Sequence, residues 1–263
     1  MTLPTIVSAI HFPPISDLLE WKKLALSGPL EINKVVLLTW LAAILSFVTL
    51  WVAARRAKAS TDLVPRGTQN VVESVIEFVR NDIVLQTMGP AGLGWTSFLV
   101  TMFLFLFFCN IFEIIPGIQL PVTARMAVPG SLAIMVWLIF NVVGIKAQGF
   151  GAYWRAVLIP PGVPKSLLVL VVPIEFISTI LVRPFSLAVR LFANMLAGHL
   201  LLGTFAVLCA ALWTKGIMAV LLPLPFAMLV LLTGFEGFVA LLQAFIFTIL
   251  TAVYIGGSME PEH

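Results

Sequence analysis

Long apolar runs that carry no charge restrict the fold of this chain more than any other feature. Residues 35–54 read VVLLTWLAAILSFVTLWVAA, without one ionisable side chain, and end at the basic cluster Arg55, Arg56 and Lys58. About 20 apolar helical residues cross a bilayer core, whereas the strands of a membrane barrel alternate polar and apolar residues. With 60% hydrophobic and 10% charged residues, the sequence predicts an all-α polytopic membrane protein.

Further spans are predicted at residues 96–115, which Pro116 and Gly117 close, and at 131–145. The polar stretch at 69–89, between the first two spans, has apolar side chains at helical spacing among its charges and predicts an amphipathic helix on the membrane surface. The third loop, at 146–165, is predicted to be polar and irregular because it contains Pro160, Pro161 and Pro164.

The C-terminal part predicts a different architecture, because residues 166–258 are nearly all apolar. The stretches 184–213 and 216–256 are too long for upright spans, so we expect two long, steeply tilted antiparallel helices. They are expected to turn at Thr214–Gly216, with prolines at the start of each limb that break or kink it: Pro173, Pro184, Pro223 and Pro225. We therefore expect three parts: an external N-terminal segment (1–34), transmembrane helices with a cytoplasmic amphipathic helix (35–165), and the tilted helical hairpin (166–263).

The distribution of Lys and Arg predicts the orientation in the membrane. The first and third loops carry five and three such residues, whereas the second loop and the hairpin tip carry one each, Arg125 and Lys215. The positive-inside rule places the first and third loops in the cytoplasm. Five crossings then put the N-terminus outside and the C-terminus inside, although Lys22, Lys23 and Lys34 count against this orientation.

Arg190 is the most informative residue because it stands well inside an apolar helix. A cation at the centre of a membrane helix costs roughly 2.5–3.5 kcal/mol, and it usually faces a cavity or another protein. Ser186, Arg190 and Asn194 recur every four residues, and small neighbours such as Ala197 flatten that face. The sequence predicts a groove in which another helix passes the guanidinium; the alternative is an arginine that only orients its helix.

Polar residues on the second limb stand at matching depths. Glu236 and Gln243 share one helix face, and the antiparallel register puts Gln243 level with Arg190 and Glu236 level with His199. A histidine and a glutamate at one depth predict a proton-accessible outer pocket, which two residues at the outer end of the second span can join: Asn110 and Glu113.

Two cytoplasmic-side residues, Glu175 and Arg183, either line a second pocket or pair with each other. A continuous polar path would leak protons. A fixed cation between two offset half-paths blocks direct passage, yet attracts a carboxylate that a partner brings. This predicts that Arg190 is an electrostatic gate.

The stretches RPFSLAVRLFANMLAGH (183–199) and LLQAFIFTILTAVYI (241–255) closely resemble the signature stretches of subunit a of F-type ATP synthases, and NVVESVIEFVRNDI and CNIFEIIPG are similar to that family as well. The resemblance implies that Arg190 faces the carboxylate of the rotating c-ring. It implies proton-path roles for Asn194, His199, Glu236 and Gln243, with the acid and histidine exchanged relative to some members. Asn110 and Glu113 match the outer pocket, although many members have glycine at the latter position. Glu175 resembles the inner acid, displaced by one residue relative to Arg183.

The resemblance also implies partners and a location. The expected partners are the c-subunit ring, the peripheral-stalk b subunits, the rest of the ATP synthase and the lipid bilayer of a bacterial inner membrane, with no nucleic acid. No phosphate-binding loop is present in the sequence, so we expect a non-catalytic subunit without a cofactor or metal. A secondary transporter, which would show repeated halves, and a purely structural assembly subunit are the alternatives. The sequence leaves open whether protons or sodium ions are carried.

Overall fold

The computed structural model describes residues 33–59, 67–115, 118–159, 163–164, 166–213 and 217–259, and within these ranges the regular structure is helical. Two π-helical turns and three 3₁₀ turns connect or extend the helices. The π turns are Val79–Val84, which leads into the short helix Leu85–Thr87, and Ser178–Val182; the 3₁₀ turns are Pro90–Trp95, Val122–Ala124 and Ile217–Leu221. The α-helices are α1 (Lys34–Ala59), α2 (Thr68–Phe78), α3 (Thr96–Ile111), α4 (Ala127–Gln148), α5 (Phe150–Leu158), α6 (Leu168–Ile177), α7 (Arg183–Leu212) and α8 (Pro223–Met259).

The predicted class of all-α polytopic membrane protein is confirmed. Five helical stretches in the described residues are long and apolar enough to cross a membrane: 34–58, 90–111, 127–148, 168–212 and 219–259. The second stretch starts earlier and stops earlier than the sequence predicts, because the chain leaves α3 after Ile111 in a turn. The residues expected to close that span, Pro116 and Gly117, lie outside the described residues.

The hairpin consists of two helices that are too long to stand upright in a bilayer. The stretches 168–212 and 219–259 contain 45 and 41 residues. At 1.5 Å rise per residue each is roughly 60–70 Å long, about twice the apolar thickness of a bilayer. Pro173 lies inside α6 without breaking it, Pro184 stands in the first turn of α7, and Pro223 begins α8. The predicted turn at Thr214–Gly216 lies outside the described residues.

The core lies around α3, which packs on α1 on one side and on α8 on the other, while α4 packs on both α7 and α8. Its buried side chains come from all four inner helices and include Leu99, Val136, Leu191, Met195 and Phe247. Many apolar side chains point outward instead; Val169 is 83% exposed and Leu231 is 68% exposed. Lipid and partner helices are the surroundings in which such a surface is stable.

The two ends of the helices gather different segments. At one end Gln148 donates a hydrogen bond to the Ser258 carbonyl, and Gly256 packs beside the Thr87 carbonyl. At the other end Lys34 donates a hydrogen bond to the Ile118 carbonyl. The first loop, the third loop and the end of α8 therefore share one side, and the start of α1 shares the other side with the second loop. This grouping agrees with an odd number of crossings.

The predicted amphipathic helix is present as α2 and its π turn. It buries Val72, Val79, Ile83 and Val84 and exposes Arg80. Helix α2 packs mainly on α1, and the buried side chains of the π turn lie against α3 and α8. The π turn could not be predicted from the spacing of apolar residues. A π turn adds one residue to a helical turn, which shifts the apolar face slightly but leaves the helical pattern recognisable.

The third loop contains a helix that the sequence did not predict. Residues Phe150–Leu158 form α5, which turns back from α4 at Gly149, where φ is 84°. Glycine adopts this left-handed conformation without steric cost. Tyr153 on α5 is buried against Gly144 and donates a hydrogen bond to Asn141 Oδ1 at 3.1 Å. The prolines that suggested an irregular loop follow this helix rather than interrupt it.

We expect Gly144→Ala to destabilise the chain by about 1–3 kcal/mol, the usual cost of overpacking a core, because the added methyl group would overlap the Tyr153 ring. Gly130→Ala in the same helix is the matched control, since nothing lies within 4 Å of its added methyl group. Thermal unfolding in detergent, followed by tryptophan fluorescence, measures both. Equal stability of the two variants would show that α5 does not pack on α4 as described.

Candidate functional site

The outer part of the site depends on the close approach of α7 and α8. A methyl group added at Gly198 would overlap the Glu236 carboxylate, so α8 places this side chain directly against the backbone of α7. Glu236 is buried, with 6% of its surface exposed. The antiparallel register predicted that Glu236 would lie level with His199, and the structure places it level with Gly198, one residue away.

His199 faces a second carboxylate. Its Nδ1 lies 3.7 Å from Glu113 Oε1, an ion-pair distance if the imidazole is protonated. Glu113 stands in the turn that follows α3, and the neighbouring Ile114 packs beside Gly237 on α8. The end of α3, the middle of α7 and the middle of α8 thus bring Glu113, His199 and Glu236 together. We call these three residues the outer cluster.

Asn110 extends the outer cluster toward the second loop. It is fully buried, and its Oδ1 accepts a hydrogen bond from the Thr123 hydroxyl. Thr123 was missed in the sequence because it belongs to a short 3₁₀ turn without a helical pattern. Three buried polar atoms in this region have no hydrogen-bond partner among the described residues: Asn110 Nδ2, Glu113 Oε1 and Glu236 Oε2.

Arg190 lies on α7 between the outer cluster and the start of this helix. It is half-buried, while Ala193, Asn194 and Ala197 on the next turns are exposed. No other described residue forms a hydrogen bond or an ion pair with Arg190. The guanidinium therefore stands beside an open, low surface of small and polar side chains.

Two predicted site residues are near this level but are not bonded to the arginine. Gln243 is buried, with 4% of its surface exposed, and packs within the interface between α8 and its neighbours. Ser186 is half-buried one turn before Arg190. Within the described chain, no hydrogen bond joins Arg190 to either residue.

A second part of the site is a cavity of about 430 Å³ at the end of the helices where the first and third loops lie. Glu175 and Arg183 both line it, and no ion pair joins them within the described residues. Of the two arrangements left open by the sequence, the structure therefore contains the shared pocket. The other polar residues at its wall come from three helices: Gln148, Tyr153, Tyr254 and Ser258.

Tyr153 is a cavity residue that the sequence did not indicate, and Tyr254, which shares a helix face with Glu236 and Gln243 by its spacing, lines the same cavity. The Arg183 guanidinium lies 5.9 Å from the centroid of the Tyr254 ring, within the range of a cation–π contact. The pKa of the Tyr153 phenol is raised above its usual value, because the effect of burial outweighs the opposing effect of the nearby Arg183 charge. Helical spacing could not reveal Tyr153, because it reaches the cavity only through the unpredicted helix α5.

The chain is similar to known proteins along most of its length. Residues 36–256 match the family model described as ATP synthase A chain. The chain is 43% identical over 241 residues to ATP synthase subunit a of Frankia alni, a match that covers 89% of this chain and 80% of that protein. It is 38% identical over 255 residues to ATP synthase subunit a of Rhodococcus erythropolis, covering 96% and 91%. Its identity to the same subunit of Streptomyces lividans is 39%, covering 89% and 82%.

The register of α7 and α8 predicts a specific disulfide. With the native Cys109 and Cys209 replaced by serine, the pair Gly198→Cys and Glu236→Cys should form a disulfide on mild oxidation, because the two positions touch. The pair Gly203→Cys and Glu236→Cys is the control, since five residues displace the thiol by about 7.5 Å along the helix. Mass spectrometry of the digested chain detects the linked peptides. Efficient linkage at 203 without linkage at 198 would contradict the register.

Proposed function

The chain belongs to the ATP synthase subunit a family, the proton-translocating subunit of the Fo membrane sector, and on this premise we propose that it forms two offset half-channels separated by Arg190. Protons enter through one half-channel and leave through the other, and neither half-channel crosses the whole membrane. The partner that connects them is the carboxylate of the rotating c-ring.

The outer half-channel ends at the outer cluster. Two carboxylates and one imidazole lie within a short distance of one another, and buried polar atoms normally have a hydrogen-bond partner or water. The two carboxylate oxygens without a hydrogen-bond partner among the described residues, Glu113 Oε1 and Glu236 Oε2, are therefore suited to accept and pass protons. Asn110 fixes the far wall through its bond from Thr123. The exchange of histidine and acid relative to some family members keeps one acid and one base at this level.

The inner half-channel is the cavity at the cytoplasmic end. Glu175 supplies the acid, and Arg183 lines the same cavity. The 16 residues from Arg183 to His199 span roughly 24 Å along a helix. This separation keeps the inner cavity and the outer cluster apart, with Arg190 between them.

Arg190 carries the proposal because no described residue pairs with it and its face of α7 is open. A c-ring helix that passes over Ser186, Asn194 and the flanking alanines brings its carboxylate to the guanidinium. An adjacent cation favours the ionised carboxylate, so the ring site must give up its proton on one side of Arg190. It must take up another before it returns to lipid, where an unpaired charge is costly. Proton flow is thereby coupled to rotation.

The arrangement in the membrane follows from the same proposal. The N-terminus is outside a bacterial inner membrane and the C-terminus is cytoplasmic, so α2, α5 and the inner cavity face the cytoplasm. The c-ring covers the Arg190 face of the hairpin, and the peripheral-stalk b subunits hold the chain in place. The exposed apolar side chains of α1 offer surface for such helices; Phe47 is 67% exposed.

We expect Arg190→Ala to abolish ATP synthesis driven by an ion gradient, because the ring carboxylate then has no ionising partner. Arg190→Lys should also fail, since a compact ammonium lacks the planar, always-charged fork of arginine. Arg155→Ala, which removes an exposed cation from α5, is the control and should leave synthesis intact. Membrane vesicles that contain the assembled complex provide the assay. Robust coupled synthesis in either Arg190 variant would refute the gate.

A further inference from the structure

The helix from Leu168 to Leu212 departs from α geometry at one described place, between the two charged residues of the inner cavity. In the π turn Ser178–Val182 the backbone N–H of Arg183 donates to the Ser178 carbonyl, five residues earlier. In an α-helix it would donate to Thr179, four residues earlier. The Thr179 carbonyl instead accepts a hydrogen bond from Trp137 Nε1 on α4, at 3.2 Å. A side chain of a neighbouring helix thus satisfies the carbonyl that the π turn releases.

The sequence explains why the turn forms here. Pro184 has no N–H for the carbonyl of Ile180, and in an α-helix its ring collides with that carbonyl four residues earlier. A wider turn relieves this collision. Thr179 is fully buried beneath the turn, so the released carbonyl faces protein and requires a partner such as Trp137.

The turn also changes which residue faces the cavity. Glu175 and Arg183 are eight residues apart, and eight α-helical steps would leave them about 80° apart around the helix. One residue absorbed by a π turn makes the rotation equal to seven steps, so the two side chains are only about 20° apart. Glu175 and Arg183 do line the same cavity, whereas Phe176 is 48% exposed on the outer surface.

We propose that the π turn Ser178–Val182, held by Trp137, is a positioning element that turns Glu175 into the inner cavity beside Arg183. Trp137 and Thr179 are then positioning residues of the ion path. The role of the cavity itself rests on the function proposed above. The turn also accounts for the one-residue displacement of Glu175 relative to Arg183, because it absorbs the additional residue.

The geometry can be tested without reference to activity. Glu175→Cys, with Cys109 and Cys209 replaced by serine, places a reporter thiol in the cavity of the assembled complex. Its reaction with a water-soluble maleimide is measured in inverted vesicles, which expose the cytoplasmic side. Deletion of Leu181, which is 63% exposed, leaves seven helical steps between residues 175 and 183 and should keep the reaction rate within about twofold, since thiol reactivity follows exposure. Insertion of alanine after Leu181 should slow the reaction about tenfold.

This asymmetry is the signature of the proposal. In a regular helix the deletion and the insertion would each rotate residue 175 by about 100° in opposite directions, and both would slow the reaction. Equal losses in the two variants would therefore overturn the proposal. A faster reaction after the insertion than after the deletion would overturn it as well.

Trp137 gives a second test that does not depend on how the deletion variant folds. Trp137→Phe removes the bond to Thr179 and should slow the reaction of the reporter thiol at position 175 about tenfold, while Trp40→Phe, at a 55% exposed position on α1, should not. An unchanged rate in Trp137→Phe would contradict the positioning role.

ATP-driven proton pumping separates this proposal from the proposed function. With native Glu175, pumping should survive the Leu181 deletion and be lost in the insertion variant and in Glu175→Leu. If the thiol asymmetry holds but Glu175→Leu pumps normally, the π turn positions residue 175 as described and the role of that acid in the inner half-channel is wrong. If the thiol asymmetry is absent, the positioning proposal fails whatever the pumping shows.

Discussion

The cation at Arg190 is the constraint on which the rest of the hairpin depends. A charge inside an apolar helix is retained only where water, a counter-charge or a partner meets it. Within the described residues no side chain bonds to this guanidinium, although Glu236, Glu113 and Glu175 are all present in the same structure. The carboxylates lie toward the two ends of the proposed proton path, and the arginine lies between them. This division suits a gate that must remain available to a moving carboxylate.

Small residues make the division possible. Gly198 lets Glu236 lie against the backbone of α7, so an acid on one limb reaches the level of a histidine on the other. Ala193 and Ala197 keep the opposite face low, which allows a neighbouring helix to approach. At the end of the helices that contains the cavity, Gly144 has the same effect for Tyr153, which closes one wall of the cavity. At both glycines, the lack of a side chain leaves room for a polar group of a neighbouring helix, Glu236 in one case and Tyr153 in the other.

The sequence predicted the spans, the amphipathic helix and the outer cluster because each depends on a regular pattern or on symmetric positions about the hairpin turn. Apolar runs fix helices in lipid, and the antiparallel arithmetic that paired His199 with Glu236 was correct to one residue. It did not predict α5, Thr123 or the π turns. These features depend on tertiary contacts: Tyr153 folds onto Gly144, Thr123 bonds to Asn110, and Trp137 bonds to a released carbonyl. The sequence could not decide whether Glu175 and Arg183 face the same side, because regular α-helical spacing places them on different faces and the π turn between them was not predicted.

The central claim, that two half-channels open to opposite sides, is tested most directly by the side from which single cysteines can be reached. Leu200→Cys reports on the outer cluster and Ser178→Cys on the inner cavity, each with Cys109 and Cys209 replaced by serine. Silver ions are added to sealed vesicles of known orientation that contain the assembled complex, and proton transport is followed. The account predicts inhibition of the Leu200 variant only from the outer face and of the Ser178 variant only from the cytoplasmic face. Inhibition of both variants from the same face would contradict it, and Arg190 would then be a structural counter-ion.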